Sequence, residues 1–107
     1  MLHTRVEKGE IPIIYLEGEI DLDSVETFRW AITDAMRGAT EAVIDFSGVT
    51  FIDSSGTGLL VRFCLDYQAQ GVRLRLRNIP PTVDEVFGML KVRTLVGDDA
   101  FIDRPTQ

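Results

Sequence analysis

One cysteine, one histidine and one tryptophan are all that this 107-residue chain has of each, and each scarcity closes off a kind of chemistry. A lone thiol, Cys64, can form no internal disulfide, which fits a reducing cytoplasm. A lone imidazole, His3, lies near the N-terminus and leaves every serine without the neighbouring base that nucleophilic catalysis needs; no Gly-x-Ser-x-Gly elbow is present either. No catalytic residue is therefore assigned. No apolar run approaches the ~20 residues of a membrane span, and the segment from Met1 to Lys8 lacks the apolar core of a secretory signal. Positive charge is also short: 11 Lys and Arg against 17 Asp and Glu leave a formal charge of −6. That balance argues against a nucleic-acid partner and suits a basic protein partner. Neither Gly56 nor Gly58 is followed by the lysine of a phosphate-binding loop. Repeats, linkers and low-complexity tracts are missing, so residues 1–107 are expected to form one domain.

What is there alternates between two hydrophobic periods. A short strand is expected over residues 4–7, turning at Lys8-Gly9-Glu10 into a second, apolar strand within 11–20. Asp23-x-x-Glu26 fits a capping box, opening a helix with Leu22, Val25, Phe28, Ile32, Ala35 and Met36 on its core face and ending at Arg37-Gly38. Residues 42–46 read as a strand, followed by a turn through Ser47-Gly48-Val49-Thr50. A second helix carries Leu60, Phe63, Cys64 and Tyr67 inward and stops near Gln70-Gly71. Val72-Arg73-Leu74-Arg75-Leu76-Arg77 alternates strictly, the mark of a strand with one buried and one polar side. Asn78-Ile79-Pro80-Pro81 breaks the chain, and Thr82-x-x-Glu85 resembles a further capping box for a third helix bearing Val83, Val86, Phe87 and Leu90. Residues 92–102 should hold a short strand or irregular packing, with the last five residues loose. Alternating strands and helices imply a layered α/β domain: a mixed, mainly parallel sheet, an N-terminal antiparallel hairpin and three or four packed helices.

The most informative stretch is Phe51-Ile52-Asp53-Ser54-Ser55-Gly56-Thr57-Gly58-Leu59-Leu60. It delivers two hydroxyls to a helix start, where serines can cap free backbone N–H groups. The same position also tolerates a phosphoserine of about −1.5 to −2 charge, because the helix dipole is positive there. On the helical wheel Ser54, Gly58, Val61 and Leu65 form a stripe beside the core stripe. Its upper part is the expected partner surface.

Gly18-Glu19-Ile20-Asp21-Leu22-Asp23, the 43–60 segment and Asn78-Ile79-Pro80-Pro81 together resemble a STAS domain. The resemblance is strongest over residues 10–96. This fold is shared by anti-sigma factor antagonists and the cytoplasmic tails of sulfate transporters. In the antagonists, the serine following the motif aspartate is phosphorylated by the partner itself, an anti-sigma factor with a histidine-kinase-like ATPase fold. The unphosphorylated form binds that partner and frees the sigma factor; a PP2C-type phosphatase reverses the modification. The resemblance implies Ser54 as acceptor. It implies a partner surface of Asp21, Asp23, Asp53, Ser54, Ser55, Gly56, Thr57, Gly58 and Val61, in a cytoplasmic, monomeric regulator with no cofactor. The alternative it leaves open is a STAS subunit of a membrane transport system, docking on an ABC-type ATPase or permease. Three departures stand out. Thr57 replaces a usual apolar residue and should alter docking. The region Gly88-Met89-Leu90-Lys91-Val92 lacks a usual glycine, so the third helix should run on. Ending at Gln107 leaves little room for a terminal helix.

The remaining signals have plainer readings. Cys64 should be a buried, inert thiol. Asp21, Asp23 and Asp53 could suggest a metal, but Asp23 is already expected to cap a helix, so no metal is assigned. Arg73, Arg75 and Arg77 should line a solvated sheet face. Trp30, opposite the core stripe of its helix, should be exposed and is a candidate interface anchor.

Overall fold

The computed structural model describes residues 1–102. In chain order the elements are β1 (Leu2–Glu7), β2 (Ile13–Ile20), α1 (Val25–Met36), β3 (Glu41–Ile52), α2 (Ser54–Ala69), β4 (Arg73–Arg77), α3 (Pro81–Met89), α4 (Val92–Val96) and β5 (Phe101–Ile102), the last preceded by a 3₁₀ turn. The five strands lie side by side in sequence order. β1 runs antiparallel to β2, and every later pairing is parallel. The expected α/β fold, hairpin and mainly parallel sheet are therefore present, with four helices.

Register partners share a face of the sheet, and this sorts the side chains. Ile14, Ile44 and Leu76 are mutual neighbours across β2, β3 and β4, and all three are fully buried in one core. α1 adds Phe28 and Ile32, α2 adds Leu60 and Cys64, α3 adds Val83 and Phe87, and α4 adds Val92 and Val96. Phe87 sits edge-on between Phe46 and Phe101, at 5.9 and 6.3 Å between ring centroids. All four helices thus cover one face.

The other face is polar and open. There Arg5 opposes Tyr15, Tyr15 neighbours Asp45, and Asp45 neighbours Arg77. The Arg5 guanidinium lies 4.2 Å from the centre of the Tyr15 ring. Asp45 is only 3 % exposed, yet it is fully partnered. It accepts from Arg77 Nε and Asn78 Nδ2 at 2.8 Å, and from the backbone N and Oγ of Ser47 at 2.9 and 2.6 Å. Burial pushes its pKa up, but these hydrogen bonds together outweigh burial and hold the carboxyl below its usual range. The expected basic row is an ion-paired ladder, since Glu41 lies 3.9 and 3.7 Å from Arg73 and Arg75.

Several local expectations need correction. Ser47 to Thr50 is not a turn: β3 continues through it, with two extra residues relative to β2. While β2 advances from Tyr15 to Glu17, β3 advances from Asp45 to Gly48; from Gly18 to Glu19, it advances from Val49 to Phe51. Bulges, not a turn, re-aim the strand. The N-cap position of α1 is Ser24, not Asp23, with no side-chain capping bond, and Leu22 is 73 % exposed instead of joining the core. α3 has no Thr82 capping box, because Pro81 occupies its first turn and Pro80 the cap position. Nor does α3 run on. It stops at Met89, and Lys91 takes the left-handed conformation (φ 59°) ahead of α4. The helix ends at Gly38 and Gly71 fall where expected. The looseness expected of the last five residues lies outside the described residues.

Candidate functional site

The two bulges bring β3 to its end with Ile52 in the core and Phe51 on the open face beside Glu19. Asp53 follows in extended conformation and is tied to the neighbouring strand by its N–H, which donates to the Ile20 carbonyl at 3.1 Å. Its side chain then caps α2. Oδ1 accepts from the Gly56 N–H at 3.0 Å and from the Ser55 hydroxyl at 2.6 Å. Burial raises the Asp53 pKa, but hydrogen bonds from the Ser55 hydroxyl and from the backbone N–H groups of Gly56, Ser55 and Leu22 prevail. The carboxyl is held below the usual range. Asp53 is therefore an anion committed to one helix end, as its sequence position suggests.

This cap distinguishes the two serines. Ser55 is half-buried with its hydroxyl bound to Asp53. Ser54, the first residue of α2, is exposed. Its side chain makes no hydrogen bond among the described residues. Thr57 is 1 % exposed and donates its hydroxyl to the Asp53 carbonyl at 2.9 Å. Its polar group is thus absorbed one turn back along the helix, and it cannot meet a partner directly. Gly56 is buried as well; a Cβ there would lie 2.5 Å from Ile20 Cγ2. Both residues shape the turn from within. Of the expected partner surface, these two residues are buried in the chain itself.

Asp21 belongs to the adjacent β2–α1 turn. Its Oδ1 accepts from the N–H groups of Asp23 and Ser24, each at 3.1 Å. The Ser24 hydroxyl accepts from the Asp21 N–H at 3.0 Å and donates to the Glu19 carbonyl at 2.7 Å. Ser24 is buried, and the sequence reading missed it. The signal was the Asp21-x-x-Ser24 spacing, which permits such a reciprocal turn. Asp23 is exposed at the rim. Along α2, Gly58 is exposed and Val61 half-buried, while Leu65 is exposed. The outer stripe is accessible at Gly58 and Leu65, while Val61 packs partly against the core. Trp30 is 64 % exposed on α1, as its wheel position suggests.

The structure brings Asp21, Asp53 and Ser54 to one end of the sheet, with Asp23 at the edge. Among the described residues no group of three or more His, Cys, Asp or Glu could hold a metal ion. The hydrogen bonds explain this: Asp21 and Asp53 already point at backbone N–H groups. What the arrangement offers is a rigid cap presenting one free hydroxyl amid carboxylates. Among the described residues no helix is long and apolar enough to cross a membrane.

Comparison with known proteins places this geometry. The chain is 36 % identical over 80 residues to an anti-sigma F factor antagonist of Lysinibacillus sphaericus, covering 73 % of this chain and 68 % of that protein. Among solved structures it resembles the anti-sigma factor antagonist SpoIIAA in its unphosphorylated form (28 % identity, TM-score 0.68, covering 96 % of this chain and 90 % of the other). It likewise resembles the Bacillus cell fate determinant SpoIIAA in the phosphorylated form (28 % identity, TM-score 0.69, covering 96 % and 92 %). A sulfate transporter family protein from Wolinella succinogenes shares the fold at 14 % identity and TM-score 0.73, covering 91 % of this chain and 80 % of that one. The STAS domain model matches residues 4–102, and the chain belongs to the STAS domain family.

Proposed function

We propose that this chain is a cytoplasmic anti-sigma factor antagonist, switched by phosphorylation of Ser54. Unmodified, it binds an anti-sigma factor of histidine-kinase-like ATPase fold and releases a sigma factor. That partner phosphorylates Ser54 and the complex separates; a PP2C-type phosphatase resets it. The protein itself catalyses nothing, needs no cofactor, and acts as a monomer away from nucleic acid and membrane. The observation that carries this reading is the contrast at the start of α2. Ser54 is exposed and its side chain makes no hydrogen bond among the described residues, whereas the Ser55 hydroxyl is held 2.6 Å from the Asp53 carboxylate.

The physics of the switch follows from the same cap. A phosphate on the first residue of α2 lies at the positive end of the helix dipole, so the fold tolerates it. Asp53 and Asp21 stand beside that position and Asp23 at its rim. In a complex that excludes water, a dianion added there meets repulsion and an uncompensated desolvation cost. A loss of ~3 kcal/mol weakens binding roughly 100-fold. Gly58 and Val61 extend the contact along the accessible stripe of α2.

The test uses Ser54→Ala protein as bait in native cells, since alanine cannot be phosphorylated and the complex should be trapped. Recovery of a histidine-kinase-like ATPase is expected, and with ATP that enzyme should place phosphate on Ser54 of the wild type. The second reading, a STAS subunit of a transport system, draws on the fold shared with the sulfate transporter family protein. Recovery of a transporter ATPase or permease would replace the first reading with it.

A further inference from the structure

Two large apolar side chains close in sequence to the Asp53 cap or its neighbouring strand end lie outside the core. Leu22 is 73 % exposed and Phe51 50 % exposed. They arise from different elements. Leu22 lies in the β2–α1 turn, two residues after Ile20, whose carbonyl accepts from the Asp53 N–H at 3.1 Å. Phe51 precedes Asp53 by two residues, and the second bulge of β3 puts it on the open sheet face beside Glu19. Neither belongs to the buried core or to the side chains packed against it.

We infer that Leu22 and Phe51 are paired apolar anchors that seat the Ser54 kinase across the capped turn. This rests on the function proposed above. A transferring phosphoryl group must come within about 3–3.5 Å of the Ser54 hydroxyl, so the enzyme surface covers the residues of the same turn. Leu22 follows two residues after Ile20, which is bonded to Asp53, and Phe51 leads directly into the turn. Two exposed carboxylates adjoin the anchors: Asp23 follows Leu22, and Glu19, which also pairs with the N-terminal ammonium at 3.2 Å, is the register partner of Phe51. The complementary surface is therefore two apolar sockets bordered by Lys or Arg, an arrangement of buried centre and polar rim usual for specific interfaces. The anchors carry affinity and Ser54 carries the switch. The acceptor hydroxyl can thus be modified without the partner having to bind through it.

The experiment compares the affinity of the kinase recovered with Ser54→Ala bait for wild-type protein, Leu22→Ser, Phe51→Ser and Leu95→Ser. Leu95 is a matched control, 53 % exposed on α4. Its neighbour Val96 accepts a hydrogen bond from Gln68, fourteen residues and roughly 21 Å along α2 from Ser54. The two anchor variants should each bind about 10-fold more weakly, the share expected from leaving half a large apolar side chain unburied. Leu95→Ser should bind within twofold of wild type. Leu22→Met and Phe51→Leu keep apolar bulk and should stay within about threefold. Thermal unfolding should be unchanged throughout, since none of these side chains is in the core. If wild type binds and is phosphorylated but both serine variants bind within twofold of it, the anchors are refuted and the antagonist reading stands. Equal losses in the conservative variants also refute them. If wild type neither binds nor is phosphorylated, both readings fall together.

Discussion

Gly56 and Gly58 stand two residues apart in α2 and should respond in opposite directions to the same substitution. A Cβ at Gly56 would lie 2.5 Å from Ile20 Cγ2, 3.1 Å from the Ile20 carbonyl oxygen and 3.3 Å from Ile52 Cγ1. Ile20 and Ile52 are themselves register partners at the buried end of β2 and β3, so neither can move aside freely. Overpacking of this kind costs about 1–3 kcal/mol. Alanine's helix preference recovers at most ~1 kcal/mol, and less in a first turn. A net loss of about 1–2 kcal/mol should lower Tm by roughly 5–15 °C in a domain of this size. At Gly58 an added Cβ meets nothing within 4 Å. There the reduced entropy of the unfolded chain should raise stability by about 0.5–1 kcal/mol, lifting Tm by roughly 2–8 °C. Thermal melts followed by far-ultraviolet circular dichroism would measure both. If the two variants shift in the same direction, or Gly56→Ala is neutral, the close packing of α2 on the end of β2 is wrong. Gly58→Ala then has a second use. It lies on the proposed docking stripe, so a protein that is more stable yet binds its kinase less well would separate the stripe's role in binding from any role in folding.

Further outcomes follow from the buried and capping groups. Asp53→Ala should cost about 1 kcal/mol at neutral pH through loss of the cap. Because the folded carboxyl titrates below its unfolded value, its stabilisation is present above the unfolded pKa and lost as pH falls through the folded one. The gap between wild type and variant in urea unfolding should therefore shrink in acid; a gap independent of pH would contradict the charged cap. Arg77→Ala leaves Asp45 buried without its cation, and with partial exposure of the arginine the loss should be about 2 kcal/mol. Asp45→Asn in the same background should recover part of it, and a double variant no better than Arg77→Ala would refute the coupling. Cys64 is buried, with its thiol pKa pushed up to about 12 by desolvation. A thiol-directed reagent at mildly alkaline pH should label it only after denaturant is added; rapid labelling of the native protein would place it elsewhere.

The fold was largely legible because its periods are clean. The alternation of Arg73 to Arg77, the spacing of Phe28, Ile32, Ala35 and Met36 in α1 and that of Leu60 and Cys64 in α2 each name a buried side, and all of these match the structure. What escaped was register. Ser47-Gly48 looks like a turn by composition, yet an extra residue is accommodated as a bulge where β2 continues to pair with β3 on the far side of it. The consequence reaches the site, since the bulges turn Phe51 outward and Ile52 inward. Asp23 was misread for a related reason. Asp21 and Ser24 satisfy each other's turn first, so the cap moves one residue and Leu22 is left in solvent. At the candidate site, the motif Asp53-Ser54-Ser55-Gly56 marked a helix start, which the structure has there. Only the hydrogen bonds showed that Thr57 faces inward and that one serine is tied while the other is free.

The central claim is that phosphate on Ser54 separates the complex. Its most direct measurement is the affinity of the recovered kinase for wild-type protein before and after stoichiometric phosphorylation, with the modified residue identified by mass spectrometry. The account predicts phosphate on Ser54 alone and an affinity roughly 100-fold lower. Phosphate on Ser55, or phosphorylation of Ser54 that leaves the affinity unchanged, would contradict it.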